Sequence, residues 1–518
     1  MLTLGSYVNG AWHTGDGETT TLLNPATEEP LAEVRAGGID FPAAVDHART
    51  AGGPVLRALS FAERAGLLQG LYDALFAHRE ELIELSIANG GNTRNDAKFD
   101  VDGATATLLS YVETGNELGD RSILNDGELV QIGRTPRYGG KHILTPLQGA
   151  AVHINAYNFP AWGMIEKAAV ALLAGMPVIS KPATSTALLA HRMSEVIVDA
   201  GVLPDGAFSF IAGPVGDLLE HLGSQDVLAF TGSGSTAAIL RRLDAHTARS
   251  VRVNVEADSL NAAVMGADVD GGSDTWQLML NEVTNDVRQK AGQKCTAIRR
   301  VFVPSAKLDA FAEELQERLE DIVVGNPAEA NVRMGPLVSA SQLDDVRAGI
   351  EALGTQASKI SGSLEPRELT GVEQGKGYFL TPHLFRADDA AAAPLVHERE
   401  IFGPVVSVMP WDDQDALVRC CASGGGSLVS SVYTDDRTFA SELLTALAPY
   451  NGRLTLGSAK VSGISPGPGT VLPMLVHGGP GRAGGGEELG GTRGMSFYLQ
   501  RTAVQGYSAL IDRFFPDA

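Results

Sequence analysis

Cysteine is scarce in this chain: three residues in 518, at positions 295, 420 and 421. Three cannot build a disulfide framework, and the adjacent Cys420-Cys421 pair suits packing better than redox chemistry, so the reducing cytoplasm is the expected compartment. Basic residues are also short, 40 against 62 acidic, for a formal net charge of −22. A phosphate-binding face needs the opposite sign, which argues against a nucleic-acid partner; acidity of this kind serves solubility. Long apolar runs are missing too. The most apolar stretch, 168–179, is broken by Gly175 and Pro177. It is too short to cross a bilayer, and the N-terminus lacks a basic start followed by an apolar run, so neither a membrane nor a signal peptide is expected. There is no Gly-Lys-Ser/Thr phosphate loop, no complete GxGxxG fingerprint, no internal repeat, no charged tail and no expected metal site.

What remains is an ordinary globular composition, 44% hydrophobic and 20% charged. The chain is too long for one simple core, so two or three domains are expected. From Gly149 to Asn254 short apolar runs (Ala150–Ile154, Pro177–Ser180, Ala207–Ile211, Val227–Phe230) alternate with helical stretches, one opened by Pro160 and one that Thr184 or Ser185 can cap. Buried strands alternating with helices predict a parallel sheet covered on both faces, an α/β dinucleotide-binding arrangement. Residues 1–129 read as an antiparallel lead-in followed by helices from about Phe41 to Thr114, and 257–488 as a second α/β region. The Gly-rich stretch 463–491 reads as tightly turning loop.

Three residue types in three segments carry the chemistry. Cys295, in Ala-Gly-Gln-Lys-Cys-Thr-Ala, is the one plausible nucleophile; a lone cysteine, taken without the other segments, usually reads as a small buried hydrophobe. Asn158, in Ile-Asn-Ala-Tyr-Asn-Phe-Pro, offers an amide donor for an oxyanion together with the Cys295 backbone N–H; the alternative is a turn asparagine before Phe159-Pro160. Glu256 ends an apolar strand in Val-Asn-Val-Glu, where burial would raise its pKa toward neutrality and suit it to activate water; the alternative is a solvated strand-end acid. Gly232-Ser233-Gly234, in Ala-Phe-Thr-Gly-Ser-Gly-Ser-Thr, is by itself only turn chemistry.

In order and approximate spacing these segments, with Lys181-Pro182-Ala183 and Glu400-Ile401-Phe402-Gly403-Pro404, resemble the aldehyde dehydrogenase superfamily over nearly the whole chain. The resemblance implies a Rossmann-type cofactor domain (1–129 and 148–256), an α/β catalytic domain (257–488) and oligomerisation segments (130–147 and 489–518) that pair chains into a homodimer or higher even oligomer. It implies Cys295 as nucleophile, Asn158 as oxyanion donor and Glu256 as general base. Lys181 would contact the adenosine ribose, Phe230-Thr231-Gly232-Ser233 would receive the pyrophosphate at a helix N-terminus, and Glu400 and Phe402 would hold the nicotinamide ribose. Ile154, Asn155, Thr184 and Gly213 complete the implied cofactor set.

Three departures narrow the reading. Glu-Leu-Gly-Gly around the base is here Glu256-Ala257-Asp258-Ser259, Pro-Trp-Asn is Ala156-Tyr157-Asn158, and the ribose-binding Glu of many NAD-using members is here Thr184. A carboxylate at 184 would repel a 2′-phosphate, so its absence permits NADP, with NAD less favoured. Glu-Ala-Asp-Ser-Leu-Asn, Gly-Gln-Lys-Cys-Thr-Ala-Ile-Arg-Arg and the run from His477 to Gly491 resemble the dehydrogenases of CoA-thioester semialdehydes in aerobic phenylacetate and benzoate degradation. The implied reaction is NADP-dependent oxidation of such a semialdehyde to a free carboxylate. The ring-opening members of that group carry a hydratase-like domain after the dehydrogenase; its activity is not expected of these 518 residues. The alternatives are a broad-range aliphatic aldehyde dehydrogenase, a CoA-acylating enzyme, against which Glu256 argues, and a structural protein that keeps the fold. No clear basic cluster for CoA phosphates is visible, and Arg134, Arg137 and Lys141 read as a solvated face.

Overall fold

The computed structural model describes residues 1–366 and 368–516; residue 367, within the expected catalytic segment, and residues 517 and 518, in the second oligomerisation segment, lie outside them. Two seven-stranded, mainly parallel sheets organise the chain. The first runs Arg252–Glu256, Val227–Thr231, Ala151–Ile154, Val178–Lys181, Phe208–Phe210, with the hairpin Ser6–Val8 and Ala11–His13 added antiparallel at one edge. Chain order reverses beside Ala151–Ile154: one parallel path leaves toward Val178–Lys181, the other toward Val227–Thr231. Such a switch point opens a crevice at the carboxyl ends of the strands. The register aligns Ile154 with Phe230 and Lys181, and Thr231 with Glu256, so four of the expected site segments end along one edge.

Apolar sequence makes these strands central. Ala151, Val152, Val178, Ile179, Val227 and Leu228 are buried, and the helix Trp162–Ala174 that follows the first strand is buried along nearly its whole length. Its N-terminus is fixed from outside: Trp162 donates its backbone N–H to Asp100 Oδ1 at 2.8 Å, on the long helix Arg94–Leu118. Gly175 ends it at φ 92°, a left-handed position that suits glycine. Thr184 opens a 3-10 turn, Thr184–Thr186, before the helix Ala187–Ala200; neither it nor Ser185 is the cap, a position held by Thr186 without a side-chain bond.

The second sheet runs Ser358–Ser361, His383–Arg386, Val405–Trp411, Ile298–Pro304, Asn261–Met265, Ser427–Tyr433, Asn451–Gly457, antiparallel at its first edge only. Separately, Leu499–Tyr507 pairs antiparallel with Tyr138–Pro146 over nine residues, from Leu499↔Pro146 to Tyr507↔Tyr138. Lys141 departs from the solvated face expected of it. It is buried, and its Nζ donates to the carbonyl of Phe515 at 3.0 Å, whereas Arg134 and Arg137 are exposed. The stretch 463–491 is also more than loop. Val476–Gly478 and Glu487–Leu489 form an antiparallel ribbon whose turn is made by glycines at positive φ, Gly484 and Gly485 among them. No helix among the described residues is long and apolar enough to cross a membrane.

Candidate active site

The switch-point crevice is a cavity of about 640 Å³. Ile154, Asn155, Asn158, Lys181, Phe230, Thr231, Gly232, Ser233, Glu256, Cys295, Glu400 and Phe402 all line it. Thr184 and Gly213 do not: Thr184 follows the lining residue Ala183, and Gly213 lies against Val34 and the carbonyl of Arg35. At its inner end Asn158, Thr231, Glu256 and Cys295 are shared with a second, tight pocket of about 40 Å³, which adds Glu166 and His477 and a wall of Phe99, Phe159, Trp162 and Val471. The three expected catalytic side chains therefore sit where a cofactor-sized cleft meets an apolar pocket.

Each is held locally. The Cys295 segment is strained: Lys290 and Ala291 both lie near φ 52°, left-handed for non-glycine residues, and Gly292 follows at φ 68°. A Cβ on Gly292 would fall 2.1 Å from the carbonyl oxygen of Gly403, so only glycine fits. Arg299 binds the carbonyls of Gly292, Lys294 and Gly403, and Asn261 donates to the Cys295 carbonyl at 2.8 Å. Asn158 donates one amide N–H to the Gln293 carbonyl at 3.1 Å; the NH₂ has a second for an oxyanion. The Asn158 carbonyl accepts from Lys290 Nζ at 2.5 Å, which ties the two segments together.

Glu256 does not follow the electrostatics expected of a buried strand-end acid. Burial does push its carboxyl up, but His477 beside it, and then Lys167, outweigh burial and hold it below the ordinary carboxylate range. His477 Nε2 lies 3.1 Å from Glu256 Oε2 and 4.0 Å from Cys295 Sγ. The reacting atoms of these three residues all fall within 4.8 Å of one another. Burial, then the Glu256 charge, push the Cys295 thiol well above its ordinary value, so the resting sulfur keeps its proton beside a ready acceptor. Behind Glu256 lies a chain of buried charges, with Lys167 3.2 Å from Glu166 and 3.1 Å from Glu488.

In the crevice, Glu400 accepts from the Ser259 N–H at 3.1 Å and lies 3.7 Å from Arg299; burial dominates and pushes its carboxyl up to about 7. Phe402 packs edge-on to Tyr157, whose hydroxyl donates to Gln342 at 2.8 Å. Lys181 Nζ donates to the Pro182 carbonyl at 3.0 Å and has no ion pair among the described residues. At the turn expected to receive a pyrophosphate, the Gly234 N–H that opens the helix Gly234–Leu240 is bound to Asp258 Oδ1 at 2.8 Å.

His477, Glu166, Lys167 and Glu488 escaped the sequence reading. Glu166 and Lys167 stand inside an apolar helix with no spacing signal, and His477 lay in a stretch read as loop. The one usable cue was the ribbon pairing, which sets His477 opposite Glu488.

The chain belongs to the aldehyde dehydrogenase family, whose profile matches residues 12–504. It is a nicotinamide-dependent family of oxidoreductases. The chain is 43% identical over 477 residues to 3,4-dehydroadipyl-CoA semialdehyde dehydrogenase of Aromatoleum evansii, covering 92% of this chain and 93% of that protein. Among solved structures it is similar to lactaldehyde dehydrogenase from Escherichia coli (TM-score 0.83, 24% identity, 98% of this chain and 100% of that one). It is equally similar to a point mutant of betaine aldehyde dehydrogenase from Staphylococcus aureus in complex with NAD+ (TM-score 0.83, 22% identity, 98% of each chain).

Proposed function

We propose that this enzyme oxidises a CoA-thioester-linked aliphatic semialdehyde to its carboxylate, with NADP preferred over NAD, in the cytoplasm and as a homodimer or higher even oligomer. The observation that carries the reaction is the meeting of Cys295, Asn158 and Glu256 where the crevice joins the apolar pocket. The substrate class rests on the similarity to the Aromatoleum evansii enzyme. The crevice suits a dinucleotide: it lies at the switch point, has the volume, and holds Lys181 without an ion pair and a buried Thr231 hydroxyl without a hydrogen-bond partner among the described residues. In this reading residues 1–129 and 148–256 form the cofactor domain, 257–488 the catalytic domain, and 130–147 with 489–518 the oligomerisation unit.

Cys295 Sγ bonds to the aldehyde carbon as its proton passes to Glu256. Asn158 Nδ2 and the Cys295 N–H face the resulting oxyanion. The nicotinamide, when bound, supplies the hydride acceptor. The thiohemiacetal becomes a thioester as it loses hydride, Glu256 gives up the thiol's proton to solvent, and it then takes a proton from the water that displaces the Cys295 thiolate and frees the carboxylate. Lys181 lends positive charge to the ribose end, and Thr184, one residue past the lining residue Ala183, puts no carboxylate beside it to oppose a 2′-phosphate.

The test is reduced-cofactor production from synthetic CoA-linked semialdehydes and plain aliphatic aldehydes, with NADP or NAD, with and without free CoA. The expected result is highest kcat/KM for a CoA-linked substrate with NADP and no need for free CoA. Equal efficiency with plain aldehydes would overturn the substrate class, dependence on free CoA the hydrolytic route, and a preference for NAD the cofactor. Thr184→Glu should weaken NADP far more than NAD. Light scattering that gives only monomer at micromolar concentration would overturn the oligomer.

A further inference from the structure

We propose that His477 is a positioning residue for Glu256: it holds one carboxylate oxygen so that the other is presented, charged, to Cys295 and to the deacylating water. The inference rests on Glu256 being the base. It stands first on how the two oxygens differ. Oε2 lies 3.1 Å from His477 Nε2, and because a carboxylate oxygen only accepts, Nε2 carries the hydrogen. Oε1 is buried and has no hydrogen-bond partner among the described residues, the condition of an acceptor kept for a proton that arrives during reaction. His477 Nδ1 is likewise buried and has no partner among the described residues, so the imidazole is held through Nε2 alone, by Glu256 Oε2 and by Cys295 Sγ at 4.0 Å. Both side chains are only 3% exposed, which leaves water little scope to substitute for the contact.

The second support is placement. His477 is carried by the ribbon Val476–Gly478, which pairs with Glu487–Leu489 and is not part of either large sheet. Its ring therefore reaches the Glu256 strand end and the Cys295 segment from a third direction. The titratable groups around the pair are Cys295, Lys167, Glu166, Glu488 and Arg453. Of these, Lys167 also favours a charged Glu256, Cys295 touches it, and Glu166 and Glu488 are occupied with Lys167. Without His477, burial would act on Glu256 against only Lys167 and the Cys295 thiol and protonate it at higher pH. A protonated Glu256 accepts nothing from thiol or water, so turnover would be lost from the acid side.

The experiment is the pH dependence of kcat for the full chain and for His477→Phe, His477→Gln and Glu256→Gln, with cofactor binding titrated in parallel as a check on folding. In His477→Phe the acid limb of kcat should move up by at least one pH unit, while the KM for cofactor stays within twofold. His477→Gln, whose amide N–H can still donate to Oε2, should restore most of the wild-type limb. Glu256→Gln should give one stoichiometric burst of reduced cofactor and little turnover. An unmoved limb in His477→Phe alongside a stalled Glu256→Gln would overturn the role of His477 and leave the base in place. Equal displacement of the limb in His477→Gln and His477→Phe would also overturn it. Normal turnover by Glu256→Gln would overturn the base, and His477's role with it.

Discussion

The wide crevice and the tight pocket behind it meet at Cys295, yet they are built by different means. The crevice is lined by strand ends and turns that lie together because parallel strands share a register: Ile154, Phe230, Thr231 and Glu256 arrive at one edge in consecutive units. The pocket gathers Phe99, Glu166, Glu256, Cys295 and His477 from five separate segments. The crevice holds its charges at a distance, and Glu400 is offset 3.7 Å from Arg299. At the pocket, charge is packed against charge, with Glu256 and His477 buried in its wall and Lys167 and Glu488 buried behind them. A cleft that admits a ligand gains from open polar groups, whereas a site that moves protons needs its groups in contact and out of water, where each fixes the other's charge state.

Removing the atom both regions share should have the largest effect. Cys295→Ala is expected to abolish turnover while leaving cofactor binding, read by titration, nearly intact; normal activity would remove the nucleophile from the shared mouth. Next comes Asn158→Ala, which deletes one oxyanion donor on the pocket side. It should cost about 3 kcal/mol, on the order of a hundredfold in acylation rate. A fall of less than about threefold in single-turnover kinetics would reduce Asn158 to a clamp on Gln293.

Glu400 tests the crevice side through pH. Its folded carboxyl is raised to about 7 from 4.5, so between these values the folded state binds the proton more tightly than the unfolded chain. The contribution to stability is therefore present at acid pH and lost as pH rises through that window. Glu400→Gln should be more stable than the wild type at pH 8, by about 3 kcal/mol at most from linkage and read as a higher Tm, and the gain should vanish near pH 4. A constant difference across that range would mean that Arg299 already neutralises the carboxylate. The smallest effect is expected from Asp258→Asn. It keeps the acceptor on Gly234 but removes a negative charge where a diphosphate would sit, worth about 0.3–1 kcal/mol at a helix terminus. The KM for cofactor should fall by up to about fivefold; a rise would place the diphosphate away from this turn.

The alternation of apolar runs from Gly149 to Asn254 was enough to read the parallel sheet, because each strand and helix records its own burial in a few consecutive residues. The same locality made Cys295 and Asn158 visible as residue types in short segments, and it was the resemblance of such short segments to a family that pointed to Lys181, Phe230 and Glu400. Gly292 is a case in point: the residue needed where Gly403 approaches is written beside the nucleophile. Thr184 and Gly213, expected in the crevice, sit beside its lining, because position along a loop does not fix which way the loop faces.

The charge states in the pocket could not be read in this way. A strand-end glutamate predicts burial, and burial alone predicts a raised pKa. What lowers Glu256 is a histidine 221 positions further along the chain and a lysine from a helix before it, neither marked by spacing or pattern. Sequence by itself determined the strands, the helices and the residue types of the chemistry, because these depend on neighbours in the chain. Only the tertiary structure decided which of those residues share a proton, because Coulomb interaction and desolvation depend on distance in space and on the water excluded between groups.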